Sequence, residues 1–294
     1  MLALATILAG QIAASAGGTS VPSKSPAWSV RAQPAAIVNG APVLFQVKPP
    51  TQLAALRGTW LEHELSFYYD PAAKAWYAFA GAGLKTSAGN YPLVMTGQTR
   101  KGDSLSYQQK IHVSHAKYRT VALTVAKQFT EPNPAQVEAI HKEEALKKDI
   151  FEQSAPRREW AGRFVPPVDA PVSDQFGTQR KFNGKTQSVH QGLDYHVSQG
   201  TPVYAVNAGT VILARPLFFE GNCVVIDHGQ GLLTLYLHLS EFKVKEGDVV
   251  KRGQELGLSG ATGRATGAHL HVAARWQGVY LNPATLFALR FPGS

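Results

Sequence analysis

A single cysteine, Cys223, stands in a chain of 294 residues, so no internal disulfide can form and the fold must be held by its apolar core. Flanked by Asn222 and Val224-Val225-Ile226, it reads as a small buried strand residue rather than a nucleophile. Acidic residues are scarce as well: 20 Asp and Glu face 29 Lys and Arg, a formal charge of +9. The basic residues are scattered, with no aromatic-interleaved basic run and no reader module, which argues against a nucleic-acid partner; attraction to an anionic envelope surface, wall polymer or membrane, or simple solubility, accounts for the charge equally well. No apolar run is long enough to span a membrane. A His-Glu-x-x-His helix is also missing, which removes the helix-borne metal site from consideration.

What is there begins with Leu2 to Ala9, a short apolar stretch, followed by Ala14-Ser15-Ala16 before Gly17, the small-residue spacing of a signal-peptidase site. Residues 1–16 are therefore expected to be a signal peptide, although no Lys or Arg precedes the apolar stretch, and the protein is expected to be secreted or periplasmic. Residues 28–127 carry β-rich runs such as Pro42 to Val47, Glu64 to Tyr69, Ala75 to Phe79 and Tyr118 to Val125, separated by turn chemistry. Short strands at this spacing predict a β-sandwich of immunoglobulin-like type. Asn133 as N-cap and Pro134 at the first helical position then open a connecting helix, with Glu143/Lys147 and Glu144/Lys148 at helical spacing. Pro156 to Pro171 forms a linker, so residues 133–171 read as helix and linker, and residues 172–290 as a second, almost wholly β domain.

Two short patterns in that second domain carry chemistry. His190 and Asp194 would lie about 13 Å apart on an extended strand at roughly 3.3 Å per residue, too far to share an ion bound at about 2.0–2.2 Å. The chain must bend between them, and Gly192 is the residue that allows it. His269 and His271 obey the opposite logic: residues two apart on a strand stand side by side on one face, so one can bind metal while its neighbour handles protons. Either pattern alone has a bland reading as a polar sheet face. Together they spell a three-ligand metal site with one open position for water.

The surrounding text from Val172 to Phe287 resembles the lysostaphin/LytM-type zinc metallopeptidases of bacterial cell walls. The resemblance rests on Asp174-Gln175-Phe176-Gly177, His190-Gln191-Gly192-Leu193-Asp194, Gly200-Thr201-Pro202-Val203-Tyr204-Ala205 and Ala208-Gly209-Thr210-Val211. It continues through Gly221 to Gly229, Thr234-Leu235-Tyr236-Leu237-His238-Leu239-Ser240 and Gly260 to His271. It implies an antiparallel β-sheet groove of LytM type, a mainly all-β chain, and one Zn2+ held by His190, Asp194 and His271. It also implies that His238 and His269 act on the reacting water, and that peptidoglycan peptides are the substrate. The expected activity is endopeptidase hydrolysis of peptide stems or cross-links. Alternatives are a degenerate module that activates another wall hydrolase and a zinc peptidase acting on ordinary proteins.

Three departures stand out. Val272-Ala273-Ala274 follow the His pair where the family usually has an acidic or aromatic residue, His196 stands where a small residue is commoner, and no tyrosine lies between Phe182 and Val189 to hold an oxyanion. His196 is read as a surface or pocket-wall residue, His228 as support for a turn, and His63, His112, His115 and His141 as without function. Loops at Lys181 to Thr186 and Arg215 to Gly221 are expected to control access, with Tyr204 lining the pocket. Because every assigned residue lies beyond Pro156, a fragment starting there is expected to fold and act alone.

Overall fold

The computed structural model describes residues 27–123, 127–129, 131–182 and 186–292. The expected leader, residues 1–16, lies outside them, as does part of the Lys181 to Thr186 loop. The described chain is mainly β, with N-terminal sheets, one long helix and a C-terminal β domain.

The N-terminal region forms two sheets. One has four strands in the order Ser29–Gln33, Pro42–Lys48, Ala75–Gly81, Tyr68–Asp70; the other has five in the order Ile37–Val38, Ser104–Ser114, Gly89–Gln98, Ala55–Trp60, His63–Ser66. Every residue of Ala75–Gly81 is buried, the mark of a strand covered on both faces. Its neighbour Pro42–Lys48 sends Phe45 to one side, edge-on to Trp60 of the five-stranded sheet at 5.2 Å between centroids. On the opposite side Phe79 meets Trp276 of the C-terminal domain at 5.9 Å and Trp160 of the linker at 6.2 Å. Gly81 lets Leu281 of the C-terminal domain pack directly on this strand, because a Cβ there would sit 2.5 Å from a Leu281 methyl. A continuous apolar core therefore runs from the N-terminal strands through Trp160 and Phe164 into the C-terminal sheet.

That sheet orders its strands Val172–Asp174, Gly192–Tyr195, Leu270–Trp276, Leu232–Leu239, Gly221–Asp227, Gly209–Leu217, Val249–Val250, with Val279–Leu281 on the far end of Leu270–Trp276. Strand alternation gives it two faces. Leu270, Val272, Ala274 and Trp276 join the shared core with Val224, Ile226 and Tyr236. Ala273, Leu233, Leu235, Cys223 and Val225 line the opposite, apolar face. Cys223 is buried there, and burial raises its thiol pKa well above the usual value, so it stays protonated as the sequence suggested.

The helix runs Pro134–Glu152 and starts as expected: Asn133 accepts from Gln136 N and the Gln136 side chain returns to Asn133 N. Its charges go elsewhere than predicted. Glu143 accepts from Phe218 N at 2.8 Å and Lys147 reaches Glu220 at 2.5 Å, so both bind the rim of the apolar face instead of each other. Phe151 completes the docking by inserting into the cluster of Leu213, Leu217 and Leu233. A small sheet at the other rim pairs Thr120–Leu123 in parallel with Gln179–Phe182, which pairs in turn with Thr186–Val189. This carries the end of the N-terminal region directly to the edge of the site. The segment Val244 to Gln254 turns around the two-residue strand Val249–Val250, which pairs with Gly209–Leu217.

Candidate metal centre

Asp194 and His271 are register partners across the antiparallel Gly192–Tyr195 and Leu270–Trp276 strands. His190 folds onto them from the turn before, its N–H bonded to Thr178 O and its C=O accepting from Gly177 N. Gly192 matters for a different reason than a reversed backbone. A Cβ there would lie 2.4 Å from Val272 O and 2.5 Å from His271 Nε2, so glycine is what lets the two strands and the His271 ring close up.

All three side chains are buried. Asp194 Oδ1 lies 2.9 Å from His190 Nε2 and 2.7 Å from His271 Nδ1, and the two nitrogens are 2.9 Å apart. His190 donates its Nδ1 proton to Gln175 O at 2.9 Å, which leaves Nε2 with a bare lone pair. Burial lowers the His271 pKa to about 4 against the opposing pull of Asp194, so its ring is neutral at physiological pH. Burial alone would raise the Asp194 pKa, but the close His190 and His271 rings outweigh it and hold the group a carboxylate. Two imidazole nitrogens and one carboxylate oxygen thus converge on one small volume, a donor set that a cation satisfies. The chemistry fits zinc, which takes His nitrogen and Asp oxygen. Among the described residues these atoms form a metal-holding group with every pair within 4.8 Å.

His238 and His269 stand beside this triad, their rings 4.7 Å apart, and His269 Nε2 lies 3.9 Å from Asp194 Oδ1. Each donates its Nδ1 proton to a backbone carbonyl, His238 to Thr262 O and His269 to Gly267 O, both at 2.8 Å. Their Nε2 atoms are left as acceptors. His238 has a left-handed backbone, φ 64°, unusual for a bulky residue and placed where the strand register with Gly221–Asp227 shifts. Burial first, then the neighbouring His269 and His271, push its pKa down to about 3.

The site opens into a cavity of about 530 Å³ whose walls include Arg119, Val121, Phe219, Glu220 and Arg264. Arg119 and Val121 come from the N-terminal region, a contribution with no signal in the sequence patterns. Two further residues escaped sequence reasoning. Asp174, visible only as part of a family-like run, binds Arg119 and Arg180, and Arg180 reaches Asp194. The Arg215 to Gly221 segment does border the cavity through Phe219 and Glu220. Tyr204 does not; it is exposed on the strand Pro202–Tyr204, away from the pocket. His196 is exposed and His228 is buried, bonded to Ala208 O and Thr234 Oγ1.

Comparison with known proteins agrees with this geometry. Residues 188–283 match the model of Peptidase family M23. The peptidoglycan DD-endopeptidase ShyA of Vibrio cholerae is 47% identical over 109 residues, covering 36% of this chain and 25% of its own length. The DD-carboxypeptidase/endopeptidase Mpg of Neisseria meningitidis is 40% identical over 121 residues, covering 41% of this chain and 28% of its own. The chain thus spans about a quarter of the length of these curated relatives. A solved structure of a candidate M23 peptidase from Pseudomonas aeruginosa aligns with a TM-score of 0.64 and 27% identity over 85% of this chain and 94% of its own, so the likeness takes in the N-terminal strands too. The domain that carries the His190, Asp194 and His271 triad belongs to Peptidase family M23, the lysostaphin/LytM-like metallopeptidases.

Proposed function

We propose that the protein is a zinc-dependent endopeptidase that hydrolyses peptide stems or cross-links of bacterial peptidoglycan. The observation that carries this reading is the convergence of His190 Nε2, Asp194 Oδ1 and His271 Nδ1 beside His238 and His269, whose Nδ1 atoms are bonded to backbone carbonyls. The three donors would hold one Zn2+ per chain. Zinc held there supplies Lewis acidity and lowers the pKa of water to about 7, so only a modest base is needed.

The two remaining histidines divide the proton work. His238, with its pKa near 3, is a poor proton acceptor but a fixed hydrogen-bond acceptor, suited to orienting the attacking water. The His269 side chain is more open, 17% exposed, with its Nδ1–H anchored on Gly267 O. It is the better candidate to take the proton from water and return it to the leaving amine. The names of the relatives, DD-endopeptidases among them, favour D-Ala-containing cross-links over glycine-rich bridges as the bond cut.

The same reading places the protein in the cell envelope, secreted or periplasmic, with its basic charge suited to an anionic surface. Residues 28–127 would form an immunoglobulin-like module, supported by its two facing sheets, and residues 133–171 and 172–290 the helix with linker and the peptidase domain. The deciding experiment incubates the zinc-loaded full chain with purified sacculi and identifies released fragments by mass. Cleavage at the cross-link is expected. Intact sacculi alongside cleavage of a generic protein substrate would favour an ordinary peptidase, and no cleavage of either would favour a regulatory module.

A further inference from the structure

We propose that Arg180 is a positioning residue that fixes Asp194 as a one-oxygen metal ligand, and that Asp174 and Arg119 hold Arg180 in place. The proposal rests on the metal site described above. Asp194 divides its two oxygens. Oδ1 faces the donor nitrogens of His190 and His271, whereas Oδ2 accepts from Arg180 Nη2 at 2.5 Å. Two-oxygen coordination would need Oδ2 to turn towards the same ion. A short charge-assisted hydrogen bond to a guanidinium opposes that turn.

Arg180 has little freedom to release it. Its Nε and Nη2 also bind Asp174 Oδ2 at 3.0 and 2.6 Å, and its side chain is only 17% exposed. The planar fork of donors lets one residue span two carboxylates, which a lysine ammonium on a flexible stem does less rigidly. Asp174 is itself fixed through Oδ1 by Thr178 Oγ1 at 2.8 Å, Gln175 N at 3.0 Å and Arg119 Nη2 at 2.6 Å. Arg119 immediately precedes the Thr120–Leu123 strand, so docking of the N-terminal region delivers the last cation of the chain Arg119, Asp174, Arg180, Asp194. This assigns that region a part in setting up the metal site.

The test uses the full-length chain and the variants Arg180→Gln, Arg180→Lys and Arg119→Gln. Zinc affinity is measured by competition with a chromophoric chelator, and coordination by the visible absorption of the Co2+-substituted protein. Arg180→Gln should weaken zinc binding by about 10–100-fold, the usual cost of losing a partner of a metal ligand. It should also weaken the Co2+ absorption, as a second Asp194 oxygen raises the coordination number. Arg180→Lys should recover part of both, and Arg119→Gln should change affinity less than Arg180→Gln. Wild-type zinc affinity and an unchanged Co2+ spectrum in Arg180→Gln would overturn the proposal, including the case where only thermal stability falls. Should Arg180→Gln not fold, wild-type affinity and spectrum in Arg180→Lys would overturn it equally. Failure of the wild-type chain to bind zinc would remove the metal site itself, an outcome separable from loss of the Arg180 effect alone.

Discussion

His238 Nδ1 lies 2.8 Å from Thr262 O, and this single bond decides which nitrogen of His238 faces the triad. The His269 to Gly267 bond does the same from the other side. If these residues act on water and do not hold the ion, His238→Ala and His269→Ala should each keep zinc near one per chain while turnover falls roughly 10²–10⁴-fold. Metal analysis alongside initial rates on a soluble cross-linked peptide checks this; wild-type turnover in either variant removes that residue from the mechanism.

The triad should behave in the opposite way. Asp194→Ala and His271→Ala each delete one of three buried donors, so both should lose most of their zinc, with activity lost in parallel. His196→Ala should retain its metal, because His196 is exposed and stands outside the group. Full zinc retention in both triad variants would dismiss the ligand assignment.

The site was legible in the sequence because its spacing is geometric. His269 and His271 alternate on a strand, and Asp194 needs only the neighbouring strand to meet His271. What stayed hidden is long-range. Arg180 and Arg119 reach the triad through Asp174 from sequence distances that no local period encodes. The helix cap at Asn133 was readable for the same local reason, whereas the Glu143 and Lys147 partners were misjudged because tertiary acceptors at Phe218 and Glu220 outcompeted the helix pairing. Shared burial of Phe79 and Trp276 explains why a chain that reads as two units packs as one.

His228 predicts an acid-sensitive stability. Burial lowers its pKa from 6.5 to about 4, while Ala208 O and Thr234 Oγ1 satisfy the neutral ring. The unfolded chain takes up this proton below about pH 6.5 and the folded chain only near 4, so stability falls as pH drops between those values and the loss is complete below 4. The shift corresponds to roughly 3 kcal/mol at most. Urea unfolding of wild type and His228→Gln from pH 7.5 to 4 should show a shallower decline in the variant. Parallel curves would mean that other groups govern the acid limb.

The reach of the N-terminal region into the site changes what a truncated protein should do. A fragment starting at Pro156 would lose Arg119 and Val121 from the cavity wall and the Thr120–Leu123 strand that pairs with Gln179–Phe182. It would also strip Phe79 from Trp276 and Trp160, Gly81 from Leu281, and Phe151 from the cluster around Leu213 and Leu233. Uncovering several large apolar side chains at about 25 cal/mol per Å² exceeds the margin of a typical domain. The fragment should therefore be poorly soluble or aggregate, with zinc bound weakly, in contrast to the expectation drawn from the positions of the site residues alone. Size-exclusion chromatography and far-UV circular dichroism of the fragment beside the full chain decide the matter. A monomeric, zinc-loaded fragment that cleaves soluble peptide at the full-length rate would show that the shared core is dispensable and that the N-terminal strands serve a separate purpose.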